Sequence, residues 1–146
     1  MVNLLISRVC NLRCPYCFAE PHLSGGQART EATFISFGTF AARLDFLERS
    51  GVNEVRLIGG EPTLHPQFPD LIQQAAARGK HIVVFSHGLM PERAVSSLEA
   101  LPLGQCTVLV NTNAARRSGG PTTVEQEHRR AVMRRLGARA FPGFTI

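Results

Sequence analysis

Apolar runs of strand type alternate along this chain with segments of helical periodicity. The first run is Val2–Ser7, and similar runs cover residues 54–58, 80–88 and 106–113. Near-continuous apolar strands separated by helices are typical of βαβ units, in which a parallel sheet is buried. A fifth apolar run, residues 141–146, indicates the start of another strand. The alternation therefore predicts an α/β fold.

Helical signals follow each of the first four runs. They predict helices over residues 34–50, 68–78, 91–101 and 122–137, with Thr123 as a candidate cap of the last one. Because βαβ crossovers are right-handed, four such units form an open α/β sheet or part of an α/β barrel. A chain of 146 residues with 44% hydrophobic content is long enough for one domain of this kind.

Small and polar residues stand at the carboxyl end of each predicted strand. Both candidate architectures bind their ligands at these ends, so the four groups of residues are expected to share one rim. The groups are Cys10, Cys14 and Cys17 after the first strand, Gly59–Pro62 after the second, Ser86–Gly88 after the third, and Asn111 and Asn113 at the end of the fourth.

Three of the four cysteines lie close together, in C-x3-C-x2-C spacing. Three thiols are one too few for the four-thiolate sets that close most zinc and iron–sulfur sites. If they bound an iron–sulfur cluster, one iron would lack a protein ligand, and an open position is what a catalytic metal site needs. A structural zinc site completed by His22 or Cys106 is an alternative, as are incidental thiols.

Positive charge is concentrated near the C-terminal end. The formal net charge is +5, Lys80 is the one lysine, and only Glu125 and Glu127 oppose the arginines of the last quarter. Such a cluster is typical either of an anion or nucleic-acid site or of a solvated helix face. No aromatic residues interleave with the arginines, which favours the solvated face and makes nucleic acid an unexpected partner. The arginines are Arg116, Arg117, Arg129, Arg130, Arg134, Arg135 and Arg139.

The N-terminal segment MVNLLIS is too short for a secretory leader, since Arg8 interrupts it. No stretch is long enough to span a bilayer, so no membrane association is expected. We therefore expect a cytoplasmic protein, in which clustered cysteines are metal ligands or redox groups more often than disulfides.

Two motifs together carry a family resemblance. An aromatic residue, Tyr16, directly precedes the third cysteine, and G-G-E-P follows one strand later at Gly59–Pro62. With these motifs in this order along essentially the whole chain, the sequence resembles the radical S-adenosylmethionine (radical SAM) superfamily. The resemblance implies that Cys10, Cys14 and Cys17 bind a [4Fe–4S] cluster whose fourth iron is chelated by S-adenosylmethionine (SAM).

The resemblance also implies a set of cofactor-binding residues. The G-G-E-P motif would receive the methionine amino group through backbone carbonyls and the Glu61 side chain, and an anionic side chain suits an ammonium group. The Ser-His-Gly of residues 86–88 resembles the family's Thr-Asn-Gly, and His87 departs from that pattern. Asn111 stands where relatives often contact SAM, and Tyr16 would lie near the adenine. The implied cofactor-binding residues are Tyr16, Gly59, Gly60, Glu61, Pro62, Ser86 and Asn111.

The chemistry implied by the resemblance is radical chemistry. In the family, an electron from a donor such as flavodoxin or ferredoxin enters the cluster and cleaves SAM. The products are methionine and a 5′-deoxyadenosyl radical, which abstracts hydrogen from a substrate, here a small molecule or a peptide. Relatives usually fold as a (βα)6 partial barrel, so residues 1–146, with four βα units and the start of a fifth strand, are expected to be a truncated radical SAM core domain. The alternatives are a non-catalytic iron–sulfur or SAM-binding fragment and a zinc-stabilised, anion-binding module.

Overall fold

Five parallel strands form one sheet in the computed structural model, which describes residues 2–17, 19–23, 33–113 and 122–143. The strands are β1 (Val2–Ser7), β2 (Glu54–Gly59), β3 (His81–Ser86), β4 (Cys106–Asn111) and β5 (Ala140–Gly143). The helices are α1 (Phe37–Arg49), α2 (Phe68–Ala77), α3 (Glu92–Glu99) and α4 (Thr123–Leu136). None of the helices in these described ranges is long and apolar enough to cross a membrane.

The order of the strands in the sheet follows the chain, β1-β2-β3-β4-β5. Each crossover therefore advances in the same direction. In a doubly wound sheet the strand order reverses, whereas a sheet wound in one direction is of the barrel type. The predicted α/β fold is thus confirmed as a partial barrel rather than an open, doubly wound sheet.

The start of α1 differs from the prediction. The helical spacing predicted a beginning at Phe34, but α1 begins at Phe37. Ser36 caps the helix, because its Oγ accepts a hydrogen bond from the backbone N–H of Thr39 at 3.1 Å. Phe34 instead pairs with Ser7 at the edge of β1.

Helix α4 and strand β5 each differ from the sequence prediction in one detail. The cap of α4 is Thr122 rather than Thr123, because Thr122 and Glu125 form a reciprocal capping box. The fifth strand begins at Ala140, one residue before the predicted start, and residues 144–146 of the predicted strand lie outside the described residues.

Side chains alternate between the two faces of the sheet. Those directed toward the helices form the core, where Leu57 and Val84 are fully buried. The opposite face, called the inner face here, exposes large apolar side chains such as Leu5 at 39% and Phe85 at 37%. The helices therefore cover one face of the sheet and leave the inner face open.

His65 connects the turn after β2 to the segment before α1. Its Nε2 lies 2.8 Å from the carbonyl oxygen of Ile35, and its Nδ1 accepts the backbone N–H of Gln67 at 3.1 Å. Because Nδ1 is an acceptor, the ring proton is on Nε2, and the imidazole is neutral. Burial lowers the pKa of His65, and Arg93 lowers it further, while the hydrogen bond to Ile35 opposes them.

This neutral, buried histidine predicts a loss of stability in mild acid. The unfolded chain takes up a proton at this residue below about pH 6.5, whereas the folded chain resists it, so the free energy of unfolding falls as the pH drops. At neutral pH we expect the free energy of unfolding of wild type to be about 1–2 kcal/mol higher than that of His65→Gln, because glutamine lacks an acceptor at the position of Nδ1 for the Gln67 N–H. Urea unfolding at about pH 7.5 and about pH 5.5 should show this difference narrowing. If the free energy of unfolding of wild type and of His65→Gln changed equally between the two pH values, the neutral state assigned to His65 would be wrong.

One C-terminal arginine connects α4 to α3 instead of pointing into solvent alone. Arg135 pairs with Glu92 at 2.7 Å and with Glu99 at 2.6 Å. The sequence favoured a solvated helix face for the C-terminal arginines, but Arg135 forms an ion pair between two helices. Arg116 and Arg117 lie outside the described residues.

Candidate functional site

The carboxyl ends of the strands surround a pocket of about 650 Å³. The structure brings most of the predicted site residues to its wall: Cys10, Cys14, Tyr16, Cys17, Gly59, Gly60, Ser86 and Asn111. Two predicted residues, Glu61 and Pro62, are buried outside this wall. His87, which departs from the family pattern, also lines the pocket.

The cysteine loop is held by its own backbone. The N–H of Cys17 donates to the carbonyl of Cys14 at 3.1 Å, which makes a tight turn between these two ligand candidates. The N–H of Leu12 donates to Cys10 Sγ at 3.4 Å, and the Leu12 side chain is buried. The loop therefore presents all three thiols, each half-buried, to one pocket.

Burial raises the pKa of the Cys10 thiol to about 11, although the Leu12 N–H opposes the shift. In the metal-free protein this thiol is protonated at neutral pH, so binding a metal must release its proton. Burial and a hydrogen bond with Cys14 likewise raise the pKa of Tyr16 to about 12, while the positive charge of Arg129 lowers it.

The donor set fits an iron–sulfur cluster. Within residues 2–17, 19–23, 33–113 and 122–143, no three His, Cys, Asp or Glu side chains converge as one metal ion requires. A four-iron cluster binds each thiolate to a different iron, which spreads its ligands more widely than the sulfurs around one zinc ion. Three thiols on one loop, directed at one pocket, suit such a cluster with one iron open to a cofactor.

Of the two residues named for a zinc site, the structure places Cys106 away from the pocket. Cys106 is buried at the start of β4, the opposite end of the sheet. Burial raises the pKa of its thiol to about 11, as expected of a core cysteine. The side chain of His22 lies outside the described part of the chain.

The glycines at the end of β2, Gly59 and Gly60, allow β1 and the cysteine loop to approach. A Cβ on Gly59 would overlap the carbonyl oxygen of Ser7, and a Cβ on Gly60 would overlap that of Val9. The same backbones are hydrogen bonded, from Gly60 N–H to Ser7 at 3.0 Å and from Glu61 N–H to Val9 at 2.8 Å. The sequence predicted that these glycines let the backbone approach a ligand closely. In the structure they also let it approach the backbone of Ser7 and Val9 closely.

We expect Gly60→Ala to cost about 1–3 kcal/mol of stability, because the added methyl meets backbone atoms that cannot rotate away. The matched control is Gly38→Ala in α1, where the methyl would meet nothing within 4 Å. There alanine should be neutral or stabilising by up to about 1 kcal/mol. Urea unfolding of both variants measures the contrast, and equal unfolding midpoints would contradict it.

Glu61 lies fully buried beneath the pocket. Its Oε1 accepts from the Thr63 hydroxyl at 2.7 Å and from the Thr63 N–H at 3.2 Å. The Ser86 hydroxyl lies 2.9 and 3.0 Å from its two oxygens, and the His87 N–H donates to Oε2 at 3.0 Å. The carboxylate predicted to meet the cofactor thus binds protein donors on both oxygens and joins the turn after β2 to the end of β3.

Ser86 and Asn111 are also engaged within the protein. The Ser86 hydroxyl donates to Glu61 and accepts the N–H of Gly88 at 2.9 Å. Gly88 has a φ of +82°, which favours glycine, so the predicted tight turn is present. Asn111 Oδ1 accepts the N–H of Asn113 at 2.9 Å, while its half-buried side chain lines the pocket.

Sequence reasoning missed the inner-face part of the wall. Arg56, Ile58, Phe85 and Leu109 line the pocket below the strand ends. The available signal was the two-residue period of the strands, which directs these residues to the face opposite the core. Asn11 was also missed, and it lies within hydrogen-bond distance of His87 Nε2, at 2.7 Å.

Comparisons with known proteins agree with this site. The chain is 26% identical over 117 residues to GTP 3',8-cyclase 1 of Mycobacterium tuberculosis, covering 76% of this chain and 32% of that protein. SuiB of Streptococcus suis, solved with the precursor peptide SuiA, superposes with a TM-score of 0.71 at 16% identity, over 96% of this chain and 31% of SuiB. Native anSMEcpe with bound AdoMet (SAM) gives a TM-score of 0.67 at 14% identity, over 96% of this chain and 42% of that one.

The two structural likenesses show the fold, and the chain spans about a third of the length of the GTP 3',8-cyclase that it matches. The family model of the Radical SAM superfamily matches residues 4–141, which is nearly the whole chain and includes both motifs, β2 to β4 and part of β1 and β5. The chain therefore belongs to the radical SAM superfamily.

Proposed function

We propose that this chain is the cluster-binding part of a radical SAM enzyme, in which Cys10, Cys14 and Cys17 hold a [4Fe–4S] cluster. One observation carries the proposal: three cysteines of one loop and the Gly59–Gly60 turn line a single pocket at the carboxyl ends of parallel strands. When bound, the cluster and SAM would supply a 5′-deoxyadenosyl radical that abstracts hydrogen from a substrate. Residues 1–146 would then belong to a radical SAM core domain that includes further chain.

The residues of this chain bind and orient the cofactor in this proposal. Gly59 and Gly60 line the pocket without side chains, so their carbonyl oxygens are suited to accept from the amino group of SAM. Tyr16 and Asn111 provide the wall for its adenosyl part. Glu61 acts from below, by holding Ser86 and the backbone of His87 in place.

Anaerobic reconstitution with iron and sulfide tests the proposal. We expect about four irons per chain and a cluster spectrum that changes when SAM is added. After reduction by dithionite or flavodoxin, 5′-deoxyadenosine and methionine should form. A cluster that forms but ignores SAM would instead favour a non-catalytic fragment. One zinc per chain, with RNA or DNA binding that weakens steeply with salt, would favour the anion-binding module.

The inner face favours a substrate that carries an anionic group. Arg56 lines the pocket and is 28% exposed; within the described part of the chain its hydrogen-bond partner is Glu54 Oε1, bound by Nε at 2.8 Å. The terminal guanidinium nitrogens therefore retain donors for a phosphate or carboxylate. GTP, named for the cyclase relatives, carries such groups, whereas SuiB was solved with a peptide.

GTP is accordingly the first probe for the substrate. We expect Arg56→Gln to weaken GTP binding to the reconstituted protein about tenfold or more, because a bidentate ionic contact is lost, with SAM affinity unchanged. Isothermal titration with each ligand measures the two effects separately. If wild type does not bind GTP, the proposal that this pocket binds GTP is wrong. If Arg56→Gln binds GTP normally, the role of Arg56 is wrong.

A further inference from the structure

His87 contacts three separate segments of the chain. Its Nε2 lies 2.7 Å from Asn11 Oδ1 in the cysteine loop and 3.2 Å from Glu61 Oε2 below the pocket. Its carbonyl oxygen accepts from Arg129 Nε of α4 at 2.7 Å. The His87 side chain is 10% exposed and Glu61 is fully buried, so their contact is shielded from water, whereas the hydrogen bond to the exposed Asn11 lies at the surface.

The ring orientation of His87 is determined by its own backbone neighbour. The N–H of Leu89 donates to Nδ1 at 3.0 Å, which makes Nδ1 an acceptor. Nε2 therefore carries the ring proton and is the donor that faces Asn11 and Glu61. The hydrogen bond of Nε2 is with Asn11 Oδ1 at 2.7 Å, and Glu61 Oε2 lies beside the same nitrogen at 3.2 Å.

We infer that His87 is a positioning residue that ties the cysteine loop to the turn after β2 through Asn11 and Glu61. Asn11 directly follows Cys10 and precedes Leu12, whose N–H donates to Cys10 Sγ. The Asn11 side chain is exposed, so burial does not immobilise it, and the hydrogen bond to His87 does. The direction of the Cys10 thiol relative to the Gly59–Gly60 turn thus depends on the side chain that directly follows β3.

The consequence for binding rests on the proposed function above. A cluster ligand and the turn that would receive SAM must keep a constant separation for the cofactor to reach both. In this chain backbone hydrogen bonds from Gly60 to Ser7 and from Glu61 to Val9 join the base of the loop to the turn. His87 adds a link to Asn11, beside Cys10, that a shorter side chain cannot span. Loss of the link should therefore weaken SAM binding without removing the cluster, because all three thiols remain.

Two substitutions separate the link from the rest of the residue. Glutamine places its amide nitrogen near the position of Nε2 and can still donate to Asn11, whereas asparagine reaches only as far as Nδ1. Asn11→Ala removes the partner from the other side. His81→Asn is the matched control, because it makes the same change at the opposite end of β3.

Amide hydrogen exchange of the metal-free protein is the first readout and needs no cofactor. We expect the amides of residues 9–17 to exchange about five- to tenfold faster in His87→Asn and Asn11→Ala, with His87→Gln close to wild type. His81→Asn should leave these amides unchanged. Far-UV circular dichroism and melting temperature show that each variant is folded, and Asn11→Ala, at an exposed residue, should fold in any case. The inference is overturned if His87→Asn exchanges like wild type, or if His87→Gln is as fast as His87→Asn.

The reconstituted protein provides a second readout. SAM dissociation constants, taken from the SAM-induced change in the electron paramagnetic resonance spectrum, should rise about five- to tenfold in His87→Asn, with iron content unchanged and His87→Gln restoring affinity. Wild-type protein that does not bind SAM would refute the proposed function, and the exchange experiment would still decide whether the link exists. Equal SAM affinity in all variants, with wild type binding, would overturn the role of His87 in positioning.

Discussion

Cys14→Ala is expected to reduce the iron bound after anaerobic reconstitution from about four atoms per chain to fewer than about one. The three cysteines are the thiols that line the pocket, and two thiolates are too few to hold a cluster with one open iron. Formation of 5′-deoxyadenosine should fall with the iron. Iron analysis and chromatography of the reaction products measure the two losses on the same sample.

Cys106→Ala is the control for this experiment. It also replaces a thiol by a methyl group, but at a buried position at the start of β4, away from the pocket. It should keep wild-type iron content and wild-type SAM cleavage. The assignment of the cysteines is refuted if Cys14→Ala retains its iron, or if Cys106→Ala loses as much.

The strands and the cysteine loop could be predicted because their signals are local. The apolar runs predict the bounds of β1 to β4 to within about two residues, and the spacing of the cysteines identifies one loop. The start of α1 could not be placed in the same way. The apolar spacing continues back through Phe34, but the cap at Ser36 outweighs it and leaves Phe34 to pair with Ser7.

Contacts between distant segments could not be predicted from the sequence. Glu61 and Ser86 are 25 residues apart, and their hydrogen bond depends on the end of β2 lying beside the end of β3. The position of Glu61 in the G-G-E-P motif predicts a contact with a ligand, because the sequence does not show that the side chain is buried. Once the side chain is fully buried, its oxygens must find donors inside the protein, and Thr63, Ser86 and His87 supply them.

The contacts of His87 could not be predicted from the sequence either. The sequence left the role of His87 open between facing a substrate and supporting the structure, because its partners Asn11 and Glu61 are far away in the chain. Only the fold brings these three residues together.

Glu61→Ala is expected to lower the free energy of unfolding of the metal-free protein by about 3 kcal/mol or more. The substitution leaves the Thr63 and Ser86 hydroxyls and the His87 N–H buried without their acceptor. Glu61→Gln keeps the shape but turns an amide N–H₂ toward one set of donors, so a smaller loss of about 1–3 kcal/mol is expected. Urea unfolding measures both, with Glu48→Gln, half-exposed in α1, as a control that should change stability by less than about 1 kcal/mol.

The stability of the metal-free protein distinguishes two roles for this carboxylate. If Glu61 acts mainly by contacting the amino group of SAM, Glu61→Gln should weaken SAM binding and leave the metal-free protein as stable as wild type. If it acts mainly by joining the end of β2 to the end of β3, stability falls before any cofactor is added. The fully buried carboxylate, with donors on both oxygens, favours the second outcome. Wild-type stability in Glu61→Gln, together with reduced SAM affinity, would contradict it and return Glu61 to the cofactor-binding set.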